Sequence, residues 1–292
     1  MNLINNLKRI AKEPKQTHTN PSLGNNFFSD VLNQADTVKK DSRKFTKEYP
    51  YVHVSSLEDF CARRSSLLIL HSKNIHKNIT GGHRVTFAQG RAIESFVLES
   101  LFDVLGKDRF VGSWSCSCGH HKSTGLWNDS KCEKCGHGLE NYKEYSLVSD
   151  EYNIVGNPDF IYIGPKGNGV IGEIKSMNKE QFSSLTAPLP EHLRQATKYY
   201  FLAKNKKVKV SKYIHFIYVQ KEWKFGSPYK TFEIDASEEK YEKLFNEAVE
   251  DVKPVKNFIE TGLLPERILC KSPMGSIAKQ CSVVNECFKE KQ

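Results

Sequence analysis

The sequence predicts an α/β protein in which a mixed central sheet is flanked by helices. Three observations indicate this fold class: two early stretches with helical periodicity, a group of short β-patterned runs in mid-chain, and a later succession of helix, strand and helix. The chain has 292 residues, of which 38% are hydrophobic and 26% charged. That composition is typical of a soluble globular protein with enough apolar residues for a substantial core.

The first predicted elements are helices. We expect residues 1–50 to form a flexible N-terminal arm that starts with a short amphipathic helix near residues 3–10. Ser55-Ser56-Leu57-Glu58 is typical of a helix N-cap and predicts a helix to about His71. A second helix is predicted over residues 85–105, where apolar residues recur at helical spacing.

The middle of the chain predicts strands. Three β-patterned runs cover residues 142–148, 159–163 and 170–174, and the glycine-rich segment 164–169 predicts a hairpin turn between the last two. We then expect a helix over residues 190–203, a strand over 213–219, and a helix from a cap at Ser237 to about Thr261. A cysteine-bearing C-terminal segment completes the predicted fold.

Composition also limits the surroundings and partners of the chain. The formal net charge is +9, which favours an acidic partner such as nucleic acid. No apolar run approaches the roughly 18 residues of a membrane span, and residues 1–13 lack the apolar region of a secretory signal. We therefore expect no membrane partner and a reducing cytoplasmic location, in which the eight cysteines serve ligation or catalysis rather than disulfide bonds.

An acidic cluster with a lysine is the strongest functional signal. Glu173 and Lys175 are two residues apart on one predicted strand and therefore share a face, and the hairpin can bring Asp159 beside Glu173. Like charges are costly to bury together unless a cation joins them, and carboxylates suit Mg²⁺ or Mn²⁺. The pattern predicts metal-assisted hydrolysis of a phosphodiester. The alternative is an exposed hairpin whose charges are only solvated.

The surrounding motifs resemble the PD-(D/E)XK nuclease superfamily, through Gly156-Asn157-Pro158-Asp159 and Gly172-Glu173-Ile174-Lys175-Ser176. Gln195 and Tyr199 match the Q-x-x-x-Y helix of its RecB-like branch, and Glu94 stands where that branch often has a histidine ligand. The resemblance covers residues 55–288 apart from a cysteine-rich insert. It implies a restriction-endonuclease-like core in a nuclease domain over 51–288, with Glu94, Asp159 and Glu173 as metal ligands. The implied catalytic set is Glu94, Asp159, Glu173, Lys175, Gln195 and Tyr199.

Four of the cysteines lie in an insert over residues 112–138. Cys116 and Cys118 form one pair and Cys132 and Cys135 a second, a spacing that predicts a tetrahedral Zn²⁺ site in a zinc-ribbon-like fold. A histidine from this insert (His120, His121 or His137) is an alternative to one thiolate. The competing interpretation is that these cysteines are free or of mixed use.

The other four cysteines are Cys61, Cys270, Cys281 and Cys287. Taken alone, scattered cysteines are usually small buried hydrophobic residues. Their placement, however, resembles the iron–sulfur nucleases, which include CRISPR-adaptation exonucleases and AddB nuclease domains. That resemblance implies a [4Fe–4S] cluster, with a second zinc as the alternative. The ten residues between Cys270 and Cys281, where those families have two, imply a loop insertion.

The predicted function is therefore that of a metal-dependent DNA nuclease. We expect an exonuclease that acts on single-stranded DNA or DNA ends in recombination, repair or replication, with a helicase or recombination protein as partner. Compact size favours a phage or mobile genetic element as its source. Tyr199, Tyr200 and Trp223 are candidates for base stacking, and the lysine-rich residues 204–209 for phosphate contact. The alternatives are a non-catalytic DNA-binding module held by zinc and iron–sulfur sites, and a structure- or site-specific endonuclease of the same superfamily.

Overall fold

The computed structural model of the chain describes residues 50–58, 60–71 and 81–289. The arm expected over residues 1–50, with its short helix, lies outside the described residues except for Pro50. The described helices run in chain order as α1 (Ala62–His71), α2 (Gly81–Leu105), α3 (Lys179–Ser184), α4 (Pro190–Asn205), α5 (Glu239–Thr261), α6 (Ser276–Lys279) and α7 (Val284–Lys289).

The strands form two sheets. They are β1 (Val52–His53), β2 (Phe110–Ser115), β3 (Lys122–Leu126), β4 (Asn141–Glu144), β5 (Leu147–Ser149), β6 (Ile154–Gly156), β7 (Phe160–Ile163), β8 (Gly169–Met177), β9 (Val210–Gln220) and β10 (Tyr229–Asp235). The larger sheet has the order β10-β9-β8-β7-β2-β3, with β4 also paired to β2. Within the described part of the chain, β8 and β9 are the only parallel pair of this sheet, and the smaller sheet has the order β1-β6-β5. This mixed α/β architecture confirms the predicted fold class and is consistent with a restriction-endonuclease-like fold.

Helices cover both faces of the larger sheet. On β8, Ile171 and Met177 belong to one apolar core and Ile174 to a second, so the two cores lie on opposite faces. The first core includes buried residues of α1, α4 and α5, and the second includes Val97 of α2. Glu173 and Lys175 alternate with Ile174 along β8 and therefore lie on the face that packs against α4.

Several element boundaries differ from the predictions. The first helix begins at Ala62 and not near Ser55, because Val54–Ser56 form a 3₁₀ turn and Glu58 makes ion pairs with Arg194 and Lys198 of α4. Ser237 does not cap α5: its hydroxyl donates to Asp235 Oδ1 at 2.6 Å, and the N-cap residue is Glu238.

The β-patterned run over residues 142–148 is two strands that belong to different sheets. β4 pairs with β2 in the larger sheet, and β5 pairs with β6 in the smaller one. In addition, β2 is a strand of the larger sheet through its pairing with β7, so the cysteine-rich insert starts inside that sheet. Strand partners depend on tertiary contacts, which local alternation does not specify.

Within the described residues, no helix combines the length and the apolar character that crossing a membrane requires.

Candidate active site

The β7–β8 hairpin brings two carboxylates together, as predicted. Phe160 pairs with Gly172, and Asp159 Oδ2 accepts a hydrogen bond of 2.6 Å from the Ile174 amide. Gly172 permits this pairing because a Cβ atom there would lie only 1.9 Å from the Phe160 ring. The hydrogen bond from the Ile174 amide fixes the Asp159 carboxylate beside Ile174, the residue that follows Glu173.

Glu173 is a buried carboxylate whose ion-pair partner is Lys175. Its exposure is 1%, and Lys175 Nζ lies 2.6 Å from its Oε1 atom. Apart from this close ion pair, the carboxylate has no well-aligned hydrogen-bond donor among the described residues. Buried polar atoms are normally satisfied, and a buried carboxylate with lone pairs left over from its ion pair fits a divalent cation.

The acid–base properties of the cluster follow from burial and mutual repulsion. Burial raises the pKa of Asp159 well above its usual range, and the negative charge of Glu173 raises it further. Burial also raises the pKa of Glu173, although Lys175 opposes this. For Lys175, burial acts to lower the pKa, but Glu173 and Asp159 outweigh it and raise the pKa. Lys175 therefore remains a cation beside the carboxylates.

Helix α4 places Gln195 and Tyr199 beside β8, as the i, i+4 spacing predicts. Gln195 Nε2 donates to the Tyr199 hydroxyl at 2.7 Å. Tyr199 is 3% exposed, and its pKa is raised by burial and by Glu173. The stacking of DNA bases on Tyr199 and Tyr200 was a wrong expectation, because both rings are buried in the apolar core.

Helix α2 brings Glu94 towards the same cluster. The helix crosses close to β8, since a Cβ atom at Gly90 would lie 3.7 Å from Ser176 Oγ. The pKa of Glu94 is raised by burial, then by the charges of Glu144 and Glu173. By contrast Glu99, one turn later, is exposed.

Two residues of β4 were missed by the sequence reasoning. Tyr142 donates from its hydroxyl to the Asp159 carbonyl at 3.3 Å, and Glu144 interacts electrostatically with Glu94. A signal existed, because the Tyr-x-Glu alternation of residues 142–144 places both side chains on one face of a strand. The cluster thus has a fourth carboxylate, supplied by the strand that follows the cysteine-rich insert.

Tyr218 and His192 were missed as well. Tyr218 pairs with Lys175 across the parallel β8–β9 ladder, and its hydroxyl accepts from the Leu189 amide at 3.1 Å. His192 Nδ1 lies 2.9 Å from the same hydroxyl. Burial and the nearby charge of Lys175 lower the pKa of His192 to about 4, so this ring is neutral at physiological pH.

The four cysteines of the insert come together as predicted and can bind a metal such as zinc. Their sulfur atoms all lie within 4.8 Å of one another. The Cys116 and Cys118 sulfurs are 3.1 Å apart, and Cys118 lies 3.6 Å from Cys132. A Zn–S bond of about 2.3 Å in a tetrahedral site brings sulfurs to nearly this spacing.

Backbone turns hold both cysteine pairs in the same way. The Cys116 amide donates to the His121 carbonyl at 3.1 Å, and the Cys132 amide donates to the His137 carbonyl at 2.8 Å. A glycine with positive φ follows each pair, Gly119 at 70° and Gly136 at 69°. Two matching turns that present thiols to one point are the geometry of a four-thiolate metal site.

No second group of this kind occurs among residues 50–58, 60–71 and 81–289: no other three His, Cys, Asp or Glu side chains have all their ligand atoms within 4.8 Å. Glu94, Asp159 and Glu173 are therefore neighbours at a larger separation. Mg²⁺ is commonly held by one or two carboxylates together with water and substrate phosphate, so the Asp159 and Glu173 pair meets its requirement.

The remaining cysteines gather where the C-terminal segment meets α1. Burial raises the pKa of Cys270, and the neighbouring Cys61 and Cys287 raise it further. Arg63 Nη1 donates to the Pro265 carbonyl at 2.7 Å, which fastens the segment before Cys270 to α1. Cys281 interacts with the same two cysteines and with Arg64. These four thiols are thus close to one another, although their sulfur atoms are further apart than those of the four cysteines in the insert.

Comparison with known proteins adds the following. The crystal structure of a protein named SSO0001 aligns with 91% of this chain and 98% of its own, at 13% identity and a TM-score of 0.37. An alkaline exonuclease, LHK-Exo from Laribacter hongkongensis, aligns over 79% of this chain and 94% of its own, at 12% identity and a TM-score of 0.43. No protein-family model and no curated protein matches the sequence.

Proposed function

We propose that the chain is a metal-dependent DNA nuclease that hydrolyses phosphodiester bonds. The observation that carries this proposal is the burial of two like-charged carboxyl groups, Asp159 and Glu173, beside a single ammonium group, Lys175, 2.6 Å from Glu173 Oε1. Such an arrangement is costly without a bound cation. The match of these residues to PD-(D/E)XK motifs also supports the proposal.

Asp159 and Glu173 are the proposed ligands of Mg²⁺ or Mn²⁺, and Glu94 approaches from α2 as a third. A divalent ion at this position supplies Lewis-acid polarisation of the phosphodiester and lowers the pKa of bound water. Glu144, whose charge acts on Glu94, adds negative potential that favours a cation over an anion. An all-oxygen ligand set suits Mg²⁺ or Mn²⁺.

Lys175 is the proposed catalytic cation. Its raised pKa keeps the ammonium charged, and its place beside Glu173 puts that charge next to the proposed metal ligands. It can orient the attacking water or stabilise charge that develops on phosphate oxygens. Gln195 and Tyr199 are proposed members of the catalytic set, and the hydrogen bond between them fixes the two side chains relative to each other on α4.

The proposed substrate is single-stranded DNA or a DNA end, degraded as an exonuclease in recombination, repair or replication. The net charge of +9 favours a polyanion. The division into an arm over residues 1–50, a nuclease domain over 51–288 and an insert over 112–138 remains a prediction. So do the cytoplasmic location, the phage or mobile-element source, and a helicase or recombination partner.

The cysteines are proposed to hold two separate inorganic groups. Zn²⁺ suits the insert, whose four sulfurs already lie at nearly tetrahedral spacing. A [4Fe–4S] cluster suits Cys61, Cys270, Cys281 and Cys287, because a cluster several atoms across needs thiolates further apart than one ion does. Arg64 and Arg267 lie beside these thiols and favour an anionic cluster.

A nuclease assay with matched lysine variants tests the proposal. Wild-type protein with Mg²⁺ or Mn²⁺ is expected to degrade DNA, whereas Lys175→Ala and Asp159→Ala are expected to lose the activity while keeping their circular dichroism spectra. Lys179→Ala, at an exposed lysine four residues away, is the control and should cleave normally. If wild-type protein cleaves no DNA and the active-site variants bind DNA as it does, the chain is a binding module instead.

A further inference from the structure

The loop between β9 and β10, residues 221–228, exposes two aromatic rings. Trp223 is 53% exposed and Phe225 is 91% exposed. In the described part of the chain, no other large hydrophobic side chain is as exposed as Phe225. We call residues 221–228 the aromatic loop. A single exposed hydrophobic side chain is common, but two aromatic rings on one short loop form a candidate contact surface.

Hydrogen bonds fix the shape of the aromatic loop. Trp223 Nε1 donates to the Gly226 carbonyl at 2.7 Å, and Gly226 has a φ of 79°, a value that favours glycine. At the base of the loop, the Gln220 amide donates to the Pro228 carbonyl at 3.0 Å. The indole therefore closes the loop from within, and the Phe225 ring is left projecting outward.

The aromatic loop starts beside the end of β8, the strand that carries Glu173 and Lys175. Met177, the last residue of β8, pairs with Gln220, and the Lys221 amide donates to the Met177 carbonyl at 2.9 Å. Lys175 lies two residues before Met177, a distance of about 7 Å along a strand. The loop therefore begins at the C-terminal end of β8, just beyond Lys175.

The chemistry of the aromatic loop fits unpaired nucleotides. Lys221 precedes the two rings and Lys224 lies between them, so both can contact phosphate, while an aromatic face stacks on any base. Bases inside a duplex already stack on each other, so only an unpaired or terminal base offers a free face. A charged loop with a single projecting ring is less suited to an apolar protein partner, which buries a larger apolar core.

We propose that the aromatic loop binds unpaired DNA next to the scissile phosphate, with a base stacked on Phe225 and phosphate contacted by Lys224. The inference rests on the proposed nuclease function and assigns the contact that selects an unpaired strand. Single strands and frayed ends would engage the loop, whereas the interior of a duplex would not. Because every base has an aromatic face, the loop should confer little sequence preference.

Binding of a fluorescent oligothymidylate to metal-free protein tests the inference without cleavage. Phe225→Ala is expected to weaken this binding about tenfold, and Phe225→Tyr to retain it, because base stacking needs only the ring. Leu263→Ala is the matched control, since Leu263 is 68% exposed after α5. Covalently closed duplex DNA, which has no terminal base, should bind Phe225→Ala and wild-type protein equally well.

Two outcomes separate this inference from the proposed function. If wild-type protein cleaves DNA but Phe225→Ala binds oligothymidylate as tightly as wild type, the aromatic loop has no such role and the nuclease assignment stands. If Phe225→Ala weakens binding but wild-type protein cleaves nothing with Mg²⁺ or Mn²⁺, the loop binds unpaired DNA and the nuclease assignment fails.

Discussion

The Tyr199 ring lies so close to Gly156 that a Cβ atom on this glycine would stand 2.6 Å from it. Gly156 ends β6 and opens the motif that contains Asp159, while Tyr199 comes from α4. The contact therefore packs α4, which carries the Gln195–Tyr199 hydrogen bond, against the segment that carries Asp159.

Gly156→Ala should displace the Tyr199 ring and break its hydrogen bond with Gln195. Overpacking of a dense core costs about 1–3 kcal/mol, so the free energy of unfolding in urea should fall by that amount. Nuclease activity should fall with it. Gly164→Ala is the control, because its Cβ atom would meet only an ordinary contact at 3.4 Å from Val170. Equal stability of the two variants would contradict the tight contact.

Asp159→Asn should stabilise the metal-free protein while abolishing activity. The raised pKa values of Asp159 and Glu173 mean that their ionised forms are costly in the fold, and a neutral amide removes one charge. The amide oxygen can still accept from the Ile174 amide. A gain of about 1 kcal/mol would raise the Tm by about 2–4 °C.

Metal should make wild-type protein more stable than Asp159→Asn, the reverse of the order expected without metal. Mg²⁺ or Mn²⁺ binds only the folded site, so it should raise the Tm of wild-type protein and have little effect on Asp159→Asn. A metal-induced rise of equal size in both proteins would place the ion elsewhere. Differential scanning calorimetry with and without a chelator measures both predictions.

Activity should fall on acidification with a midpoint above 4.5, the ordinary pKa of a glutamate. Protonated carboxyls cannot hold a cation, and burial raises the pKa of Asp159 and Glu173. Since these pKa values are higher in the folded than in the unfolded state, metal-free stability should decrease as the pH rises through them. A pH profile of kcat/KM and urea unfolding in chelator measure the two trends. A midpoint at or below 4.5 with an intact fold would contradict the buried carboxylate pair.

Tyr218→Phe should cost more stability than His192→Ala. The tyrosine hydroxyl accepts from the amide of Leu189, the N-cap residue of α4, and its loss leaves that N–H without a partner at a cost of about 1–3 kcal/mol. His192→Ala leaves this bond in place. Urea denaturation compares the two, and a larger loss in His192→Ala would show that the imidazole, not the amide bond, secures α4.

Elemental analysis should separate the two cysteine groups. Anaerobically purified protein is expected to be brown, with about four irons and one zinc per chain. Cys281→Ala should lose the iron and keep the zinc, and Cys132→Ala should lose zinc and keep iron, so each variant controls the other. Two zincs and no iron would replace the cluster with a second zinc site.

Local patterns predicted the parts of the site that lie close together in sequence. A glycine-rich turn between β runs specified the hairpin that unites Asp159 with Glu173, and the i, i+4 spacing placed Gln195 against Tyr199. The four cysteines of the insert were paired correctly for the same reason, because each half is a short turn.

Contributions from distant strands were not predictable in this way. Glu144 and Tyr218 reach the site because β4 pairs with β2 and β9 lies parallel to β8, which are tertiary choices. The wrong expectation of base stacking by Tyr199 and Tyr200 has a related cause: α4 directs those rings into the core. Of the three aromatic residues expected to stack on bases, Trp223 on the aromatic loop is the exposed one.

The position of β4 ties the insert to the acidic cluster. The segment that leaves Cys135 becomes β4 within a few residues and brings Tyr142 to Asp159 and Glu144 to Glu94. Trp114 of β2, which leads into the insert, is fully buried, and its ring centroid lies 4.9 Å from that of Tyr142. The insert is consequently not a removable appendage. Deleting it, or preventing its four cysteines from binding a metal, is expected to loosen β4 and so to lower nuclease activity without a change in any proposed ligand of the acidic cluster.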